Sequence, residues 1–181
     1  MFTKTLLTSA TLVVFASFLG SCTPAQNPSG ETNPMSQESE PEQASDVQAA
    51  NPALNLDATG RALQGYDPVA YFEADRPTPG EATWSTAWQG ANWYFSSAEN
   101  QEKFEEDPEK YAPKNGGYCT FGVVLSKKFD GDPKVWFIRN EKLYVFLNEE
   151  VKQKFLQDEP GNFERVQKNW PPIKDKLPEE L

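Results

Sequence analysis

Histidine is absent from the 181-residue chain, and methionine and cysteine occur only twice each. Without histidine there is no side chain that titrates near neutral pH, which excludes Ser-His-Asp catalysis, Cys-His catalysis and histidine-ligated zinc. Met1 is the first residue and Met35 lies in a polar stretch, so a methionine-rich site for a soft metal is excluded as well. No EF-hand spacing is present. Because neither a base near neutrality nor a nucleophile-base pair is visible, we predict that the protein is not an enzyme.

Basic residues are also scarce. The chain has 17 Lys and Arg against 27 Asp and Glu, a formal charge of −10, which opposes binding to phosphate backbones. The 12 Phe and five Trp would suit base stacking, but stacking platforms need a positive groove and no run of bases interleaves these rings. We therefore predict no nucleic-acid partner.

The amino-terminal segment has the order of a secretory signal. Lys4 precedes an apolar stretch over residues 6–19, and small residues lead to Cys22. That stretch is short and interrupted for a transmembrane helix, which needs about 20 apolar residues. The run Leu19-Gly20-Ser21-Cys22 resembles the lipobox of bacterial lipoproteins. The resemblance implies that the Cys22 sulfur receives diacylglycerol, that the signal is cleaved just before Cys22 and that the new amino terminus is acylated, with palmitate as the expected acyl group. A plain signal peptide with a chance cysteine is the alternative.

The composition divides the chain into four predicted parts. Residues 1–21 are the signal peptide and residues 22–56 an acidic tether that holds no base and no aromatic ring, too polar to order itself. Residues 57–171 form the folded domain, which we expect to fold without the tether, and residues 172–181 a flexible tail. We predict a lipid anchor in a membrane of the cell envelope, with the domain facing the periplasm or the exterior.

The folded part is predicted to be α+β: one small domain with two antiparallel β-hairpins and three or four short helices. Turn residues 89–92 separate two aromatic strands, and Asn140-Glu141 separates the strands of a second hairpin. Cap residues predict where the helices begin, namely Asp67, Ser96 with Glu99, Asp107 and Asn148. A stripe spaced three and four apart marks a terminal helix, with Pro171-Pro172 expected to end it. The predicted core is Tyr71, Trp84, Trp93, Phe95, Phe104, Trp136, Ile138, Leu143, Val145, Phe155 and Trp170.

Several motifs occur in an order that resembles the YHS domain family in its exported bacterial form. The resemblance covers about residues 61–171 and rests on GYDPVAYF (65–72), WQGANWYFSSAENQEKFEEDPEKYAP (88–113), GGYC (116–119), DPKVWFI (132–138), KLYVFLN (142–148) and NW (169–170). The family is similar to small cysteine-bearing metal-binding modules beside copper and heavy-metal transporters. The resemblance therefore implies metal sensing, delivery or storage. The ligand cysteines that such relatives often carry after the strand are missing, because Ser96 and Ser97 follow Phe95 here.

Cys119 is the thiol that remains if Cys22 is acylated. A lone cysteine among glycines and aromatics is more often a small core residue; the alternative is a thiolate ligand or redox-active thiol. One sulfur is a poor basis for a copper or zinc site, so such a cofactor would need a homodimer that pairs two Cys119 residues, or a partner that supplies ligands.

Polar-tipped aromatics and one acid from separate motifs would line a shallow pocket if those motifs converge, namely Tyr66, Asp67, Tyr71, Trp93 and Tyr118. The alternative is a hydrogen-bonded core in which Asp67 only caps its helix. Two functions stay open: a non-catalytic module that binds a metal or small ligand around Cys119, Tyr118, Tyr66 and Asp67, and a protein-interaction module that docks on an envelope or membrane complex.

Overall fold

The computed structural model describes residues 51–181, and it confirms the α+β class with two antiparallel hairpins. The predicted signal peptide, Cys22 and most of the predicted tether lie outside these residues. Six α-helices lie within the described residues; the helical turn predicted after Asp67 forms over residues 70–73, and a further short helix forms over residues 120–124. In chain order the elements are α1 (Ala70–Glu73), β1 (Glu81–Trp88), β2 (Ala91–Phe95), α2 (Ala98–Glu106), α3 (Pro108–Tyr111), α4 (Thr120–Val124), β3 (Asp132–Arg139), β4 (Lys142–Phe146), α5 (Glu149–Leu156) and α6 (Glu159–Ile173).

Both hairpins turn on two residues in the left-handed region. Gln89 and Gly90 join β1 to β2 with φ of 51° and 78°, and Asn140 and Glu141 join β3 to β4 with φ of 50° and 57°. Two positive φ angles match the twist of paired strands, which explains the tight turns. The first turn is shorter than predicted, because Ala91 already pairs with the preceding strand.

Side-chain caps fix the starts of four helices. Asp107, Asn148 and Asp158 accept backbone N–H groups at the starts of α3, α5 and α6. For α2 the cap is Ser97, which accepts from the N–H of Asn100, and not the predicted Ser96. The Ser96 side chain is directed instead to a buried carboxylate described below.

Strand β4 separates two hydrophobic clusters. Leu143 and Val145 belong to the first, with α2 and the first hairpin, whereas Tyr144 and Phe146 pack in the second, with α4, α5 and α6. Successive strand side chains point to opposite faces, so one short strand serves both clusters. Of the predicted core, seven residues are buried, and Trp84, Trp136, Ile138 and Trp170 are partly buried at the edges.

The packed unit extends beyond both predicted limits of the domain, 57 and 171. Leu54 is buried in the first cluster and Ile173 in the second. Helix α6 continues through Pro171 and Pro172, and the N–H of Lys174 still bonds the carbonyl of Trp170. No helix within residues 51–181 is long and apolar enough to span a membrane.

Candidate functional site

The Cys119 thiol lies in the second hydrophobic cluster. Its residue is 1% exposed and packs with Val123, Phe146 and Phe155. Its backbone N–H donates to the carbonyl of Phe129 at 2.8 Å, which fixes the residue at the start of α4. Thiol chemistry needs exposure and a stabilised thiolate, so a copper or zinc ion would reach this sulfur only after the cluster opens.

The Tyr118 side chain holds the start of the packed unit. Its hydroxyl lies 3.2 Å from the carbonyl oxygens of Pro52 and Leu54, and its ring lies 6.3 Å from that of Trp170. Burial raises the pKa of Tyr118. Through these contacts, Tyr118 holds residues 51–56 against the rest of the packed unit.

Beside Tyr118 lies a buried ammonium group that the sequence did not reveal. Lys128 Nζ donates to the carbonyl oxygens of Pro52, Lys174 and Lys176 at 2.6, 2.8 and 2.5 Å. It also lies 5.0 Å from the ring centre of Tyr118 and 5.5 Å from that of Trp170, distances typical of cation–π contacts. We call this group the Lys128 clasp. In the sequence, Lys127-Lys128 resembles any solvated pair of bases, so no local signal marks it.

Asp67 is fully buried and links two helices. Its Oδ1 accepts from the N–H groups of Val69 and Ala70 at 2.8 and 3.3 Å. Its Oδ2 accepts from the N–H and hydroxyl of Ser96 at 2.9 and 2.7 Å, and from Asn100 Nδ2 at 2.6 Å. The predicted capping role is present, and the second oxygen also ties α1 to the start of α2. Because this carboxylate accepts five hydrogen bonds, its role is structural.

Tyr66 lines a cleft of about 320 Å³ together with Gln64, Asp130, Gly131, Asp132, Lys134 and Leu147. The buried hydroxyl of Tyr71 donates to the carbonyl oxygen of Pro133 at 2.8 Å. Burial raises the pKa of Tyr71 well above its usual range, and the charges of Tyr66, Asp132 and Asp67 raise it further. The four residues predicted to form one site have different surroundings: Tyr66 lines this cleft, Asp67 caps α1, Tyr118 contacts residues 52 and 54, and Cys119 lies in the second cluster.

No group of three His, Cys, Asp or Glu side chains within residues 51–181 is arranged to hold a metal ion. The acids of α2, another possible source of ligands, lie on an exposed face where Lys103 pairs with Glu73 and Glu99 at 3.0 and 2.9 Å. The donor set described therefore does not fit the copper or zinc site that the family resemblance implies.

A second cleft, of about 250 Å³, lies between α6 and the loop after α3. We call it the aromatic cleft; it is lined by Lys114, Asn115, Tyr144, Phe163, Val166, Gln167, Trp170 and Pro171. Asn115 is 7% exposed, and its Nδ2 finds no hydrogen-bond partner among the described residues. Buried amide donors are rarely left unpaired in native proteins. The aromatic cleft thus has mainly apolar walls, whereas the Nδ2 atom of Asn115 is shielded from solvent.

The backbone around Asn115 is fixed by close packing. Asn115, Gly116 and Gly117 all have positive φ, of 55°, 62° and 82°. A Cβ on Gly116 would lie 1.7 Å from the carbonyl oxygen of Ala53, so only glycine fits there. Asn tolerates this region better than most residues. The Gly116-Gly117 pair is the sequence signal for this close packing.

Comparison with known families gives one match. The model of the YHS domain matches residues 70–115, a segment that runs from α1 to Asn115 and includes the first hairpin. This match supports the YHS domain family for that segment. Neither the curated proteins nor the solved structures contain a match to the chain.

Proposed function

We propose that the chain is an envelope lipoprotein, anchored through Cys22, whose folded unit is a non-catalytic module that binds a small organic ligand in the aromatic cleft. The observation that carries the binding role is the aromatic cleft of about 250 Å³, which Tyr144, Phe163 and Trp170 line together with Lys114. The apolar body of a ligand would occupy the space beside these rings. Removal of its apolar surface from water would favour binding.

The proposal replaces the four-residue site expected from sequence. That site depended on Cys119 being accessible, and the sulfur is enclosed by apolar side chains. A small-ligand role needs no thiolate, because the cleft offers aromatic walls and a lysine, Lys114.

NMR of the full chain tests the binding role. We expect small organic compounds that enter the cleft to shift the side-chain amide signal of Asn115, because this residue is in its lining. The amide of Asn169 is the internal control, because it is outside the lining and its Nδ2 donates to the carbonyls of Val123 and Val124 at 3.2 and 2.9 Å. If a broad panel of fragments leaves the Asn115 signal unmoved, the proposed role is wrong.

Metal titration tests the rejected alternative. We expect the reduced, monomeric chain to bind Zn(II) or Cu(I) only weakly, as measured against a competing chelator with light scattering to follow dimerisation. Tight binding that accompanies dimerisation and is lost in Cys119→Ser would restore the metal role through paired cysteines. A tight monomeric site that survives Cys119→Ser would also count against our proposal.

Anchoring is tested by Cys22→Ser. We expect the variant to take up no labelled palmitate and to leave the membrane fraction, because acylation at one cysteine holds the chain there. Cys119→Ser is the matched control and should keep both properties. Continued acylation of Cys22→Ser would contradict the anchor.

Protein interaction remains the second candidate, and one surface favours it. Leu125 and Phe129, just after α4, are 56% and 46% exposed. If this surface docks on an envelope protein, the double variant Leu125→Ser/Phe129→Ser should lose a cross-linked partner that Asn115→Gly retains. The reverse pattern would favour the cleft.

A further inference from the structure

The aromatic cleft adjoins a second and larger cleft, of about 360 Å³, with which it shares Lys114 and Trp170. We call the larger one the tryptophan cleft, because Trp88 and Trp170 both line it. Its volume lies within the range of about 300–1,000 Å³ that is typical of small-molecule sites, whereas the aromatic cleft alone lies below that range. A ligand that fills both clefts therefore has two parts, of which the larger occupies the tryptophan cleft.

Both tryptophan rings of this cleft are held in place by other side chains. The Trp88 ring makes edge contacts with Trp93 and Phe104, with centroids 5.8 and 5.7 Å apart. The Trp170 ring lies 5.5 Å from the ammonium group of Lys128. Walls that are already fixed lose little conformational entropy when a ligand binds. Because an aromatic face is weakly negative and C–H bonds are weakly positive, such rings pack well against the C–H groups of a saturated ring.

The polar groups of the tryptophan cleft include both donors and acceptors. Glu109, Lys114 and Lys174 line it, together with the amide of Gln89. Neither Glu109 nor Lys114 belongs to an ion pair within residues 51–181, although the two have opposite charges. A hydroxyl is a neutral group that accepts from an ammonium and also donates to a carboxylate. The lining therefore favours a ligand with several hydroxyls.

We propose that the two clefts together bind a glycoside, with its sugar ring in the tryptophan cleft and a compact apolar aglycone in the aromatic cleft. The sugar hydroxyls bond to Glu109 and Lys114, and the C–H face of the ring packs on the tryptophans. The inference rests on the proposed binding role and specifies its ligand class. A free sugar would leave the aromatic cleft unfilled, and an apolar compound without hydroxyls would leave Glu109 unused.

Two probes test the inference, phenyl β-glucoside and phenoxyethanol. Both carry a phenyl ether, but only the glucoside has a sugar ring. Each is titrated into the full chain, with the Asn115 side-chain signal as the readout for the aromatic cleft and the Trp88 indole N–H signal for the tryptophan cleft. We expect the glucoside to shift both signals and to bind at least about tenfold more tightly than phenoxyethanol, because its hydroxyls add hydrogen bonds to charged groups. Phenoxyethanol should shift the Asn115 signal alone.

Three variants assign the contacts. Glu109 lines the tryptophan cleft and not the aromatic cleft, so Glu109→Ala should weaken glucoside binding about tenfold and leave phenoxyethanol binding nearly unchanged. Glu102→Ala removes the same charge from an exposed position outside both linings and should change neither dissociation constant. Trp88→Leu keeps apolar bulk without the flat ring and should weaken the glucoside. Because Glu109 is exposed, the Glu109→Ala comparison stands even if Trp88→Leu lowers the melting temperature.

The outcomes separate the ligand class from the binding role. If phenoxyethanol shifts the Asn115 signal and binds as tightly as the glucoside, or if Glu109→Ala leaves their ratio unchanged, the glycoside class is wrong and the binding role stands. The amino acid L-phenylalanine offers a charged head group on the same phenyl body, and tighter binding of it than of the glucoside would also refute the glycoside class. If no probe moves the Asn115 signal, the glycoside class is wrong, and the broad fragment panel then decides the binding role.

Discussion

Single residues show where sequence reasoning succeeds and where it stops. The cap at Asp67 follows from an Asp before a Pro, because both partners lie within three residues. The contacts from Asp67 to Ser96 and Asn100 span 29 and 33 positions, and no local pattern records them. The same holds for Lys128, whose acceptors lie 46 to 76 positions away.

We expect Asp67→Asn to destabilise the fold by about 3 kcal/mol. The new NH₂ group would face donors, Ser96 and Asn100, and buried donors without acceptors are costly. Urea denaturation of the full chain measures the effect. Asp130→Asn, at an exposed position, should stay within about 0.5 kcal/mol. A loss below about 1 kcal/mol for Asp67→Asn would mean that the hydrogen bonds rearrange without strain.

The stability contributed by Asp57 should depend on pH. Burial acts to raise the pKa of Asp57, but hydrogen bonds from Thr59 and Arg61 outweigh it, so the pKa lies below its usual value of 3.8. A depressed carboxyl pKa stabilises the fold above the unfolded value, and this stabilisation is lost as the pH falls through the folded pKa.

Asp57→Asn should therefore cost about 1 kcal/mol at pH 7 and progressively less below about pH 4. Denaturation of both proteins from pH 7 to pH 2 measures the difference. Glu102→Gln, an exposed acid on α2, corrects for general charge effects. A pH-independent cost would rule out the ionised carboxylate as its source.

Elements were predicted better than single contacts, because their signals are local. Both hairpins and the caps at Asp107 and Asn148 were confirmed. The end of α6 was missed because Pro171 and Pro172 come in the last turn, where Trp170 and Ile173 still pack on the second cluster. Tertiary burial there outweighs the helix-breaking tendency of proline.

Glu141→Gly should stabilise the second hairpin by about 0.5 kcal/mol. Glu141 has a φ of 57°, a region where glycine is free of Cβ strain, and Asn-Gly is the favoured sequence for this turn. Gly90→Ala at the equivalent position of the first turn, with φ of 78°, should lose about 1 kcal/mol. Thermal unfolding measures the change in stability of each variant relative to the parent chain. A change of the same sign in both variants would contradict this account.

At the scale of the whole molecule, the fold class and the pairing of the β-strands follow from hydrophobic patterns. The limits of the packed unit do not follow from them. Residues 51–56 have a tether-like composition, yet Leu54 is buried. The Leu54 side chain packs against residues from distant parts of the chain. Composition does not reveal such long-range contacts. The candidate site was missed for the same reason: the aromatic cleft needs α6 packed beside Asn115.

A chain that starts at Asp57 should be less stable than the full chain by about 3 kcal/mol, contrary to the expectation from composition. The truncation removes the buried Leu54 side chain, worth about 1.5–3 kcal/mol, and the backbone acceptors of Tyr118 and Lys128. Thermal denaturation of chains that start at Asn51 and at Asp57 isolates these six residues. Equal melting temperatures would show that Leu54 adds nothing.

The Lys128 clasp couples the fraying of two segments that are far apart in sequence. The ammonium group donates to Pro52 near the start of the packed unit and to Lys174 and Lys176 near its end. If either segment detaches, the buried ammonium group loses hydrogen-bond acceptors. The two segments should therefore open in one step. Hydrogen exchange at the N–H groups of Leu54 and Lys176, which bond Asn51 and Ile173, should report one common opening free energy, and Lys128→Met should let the two ends exchange independently.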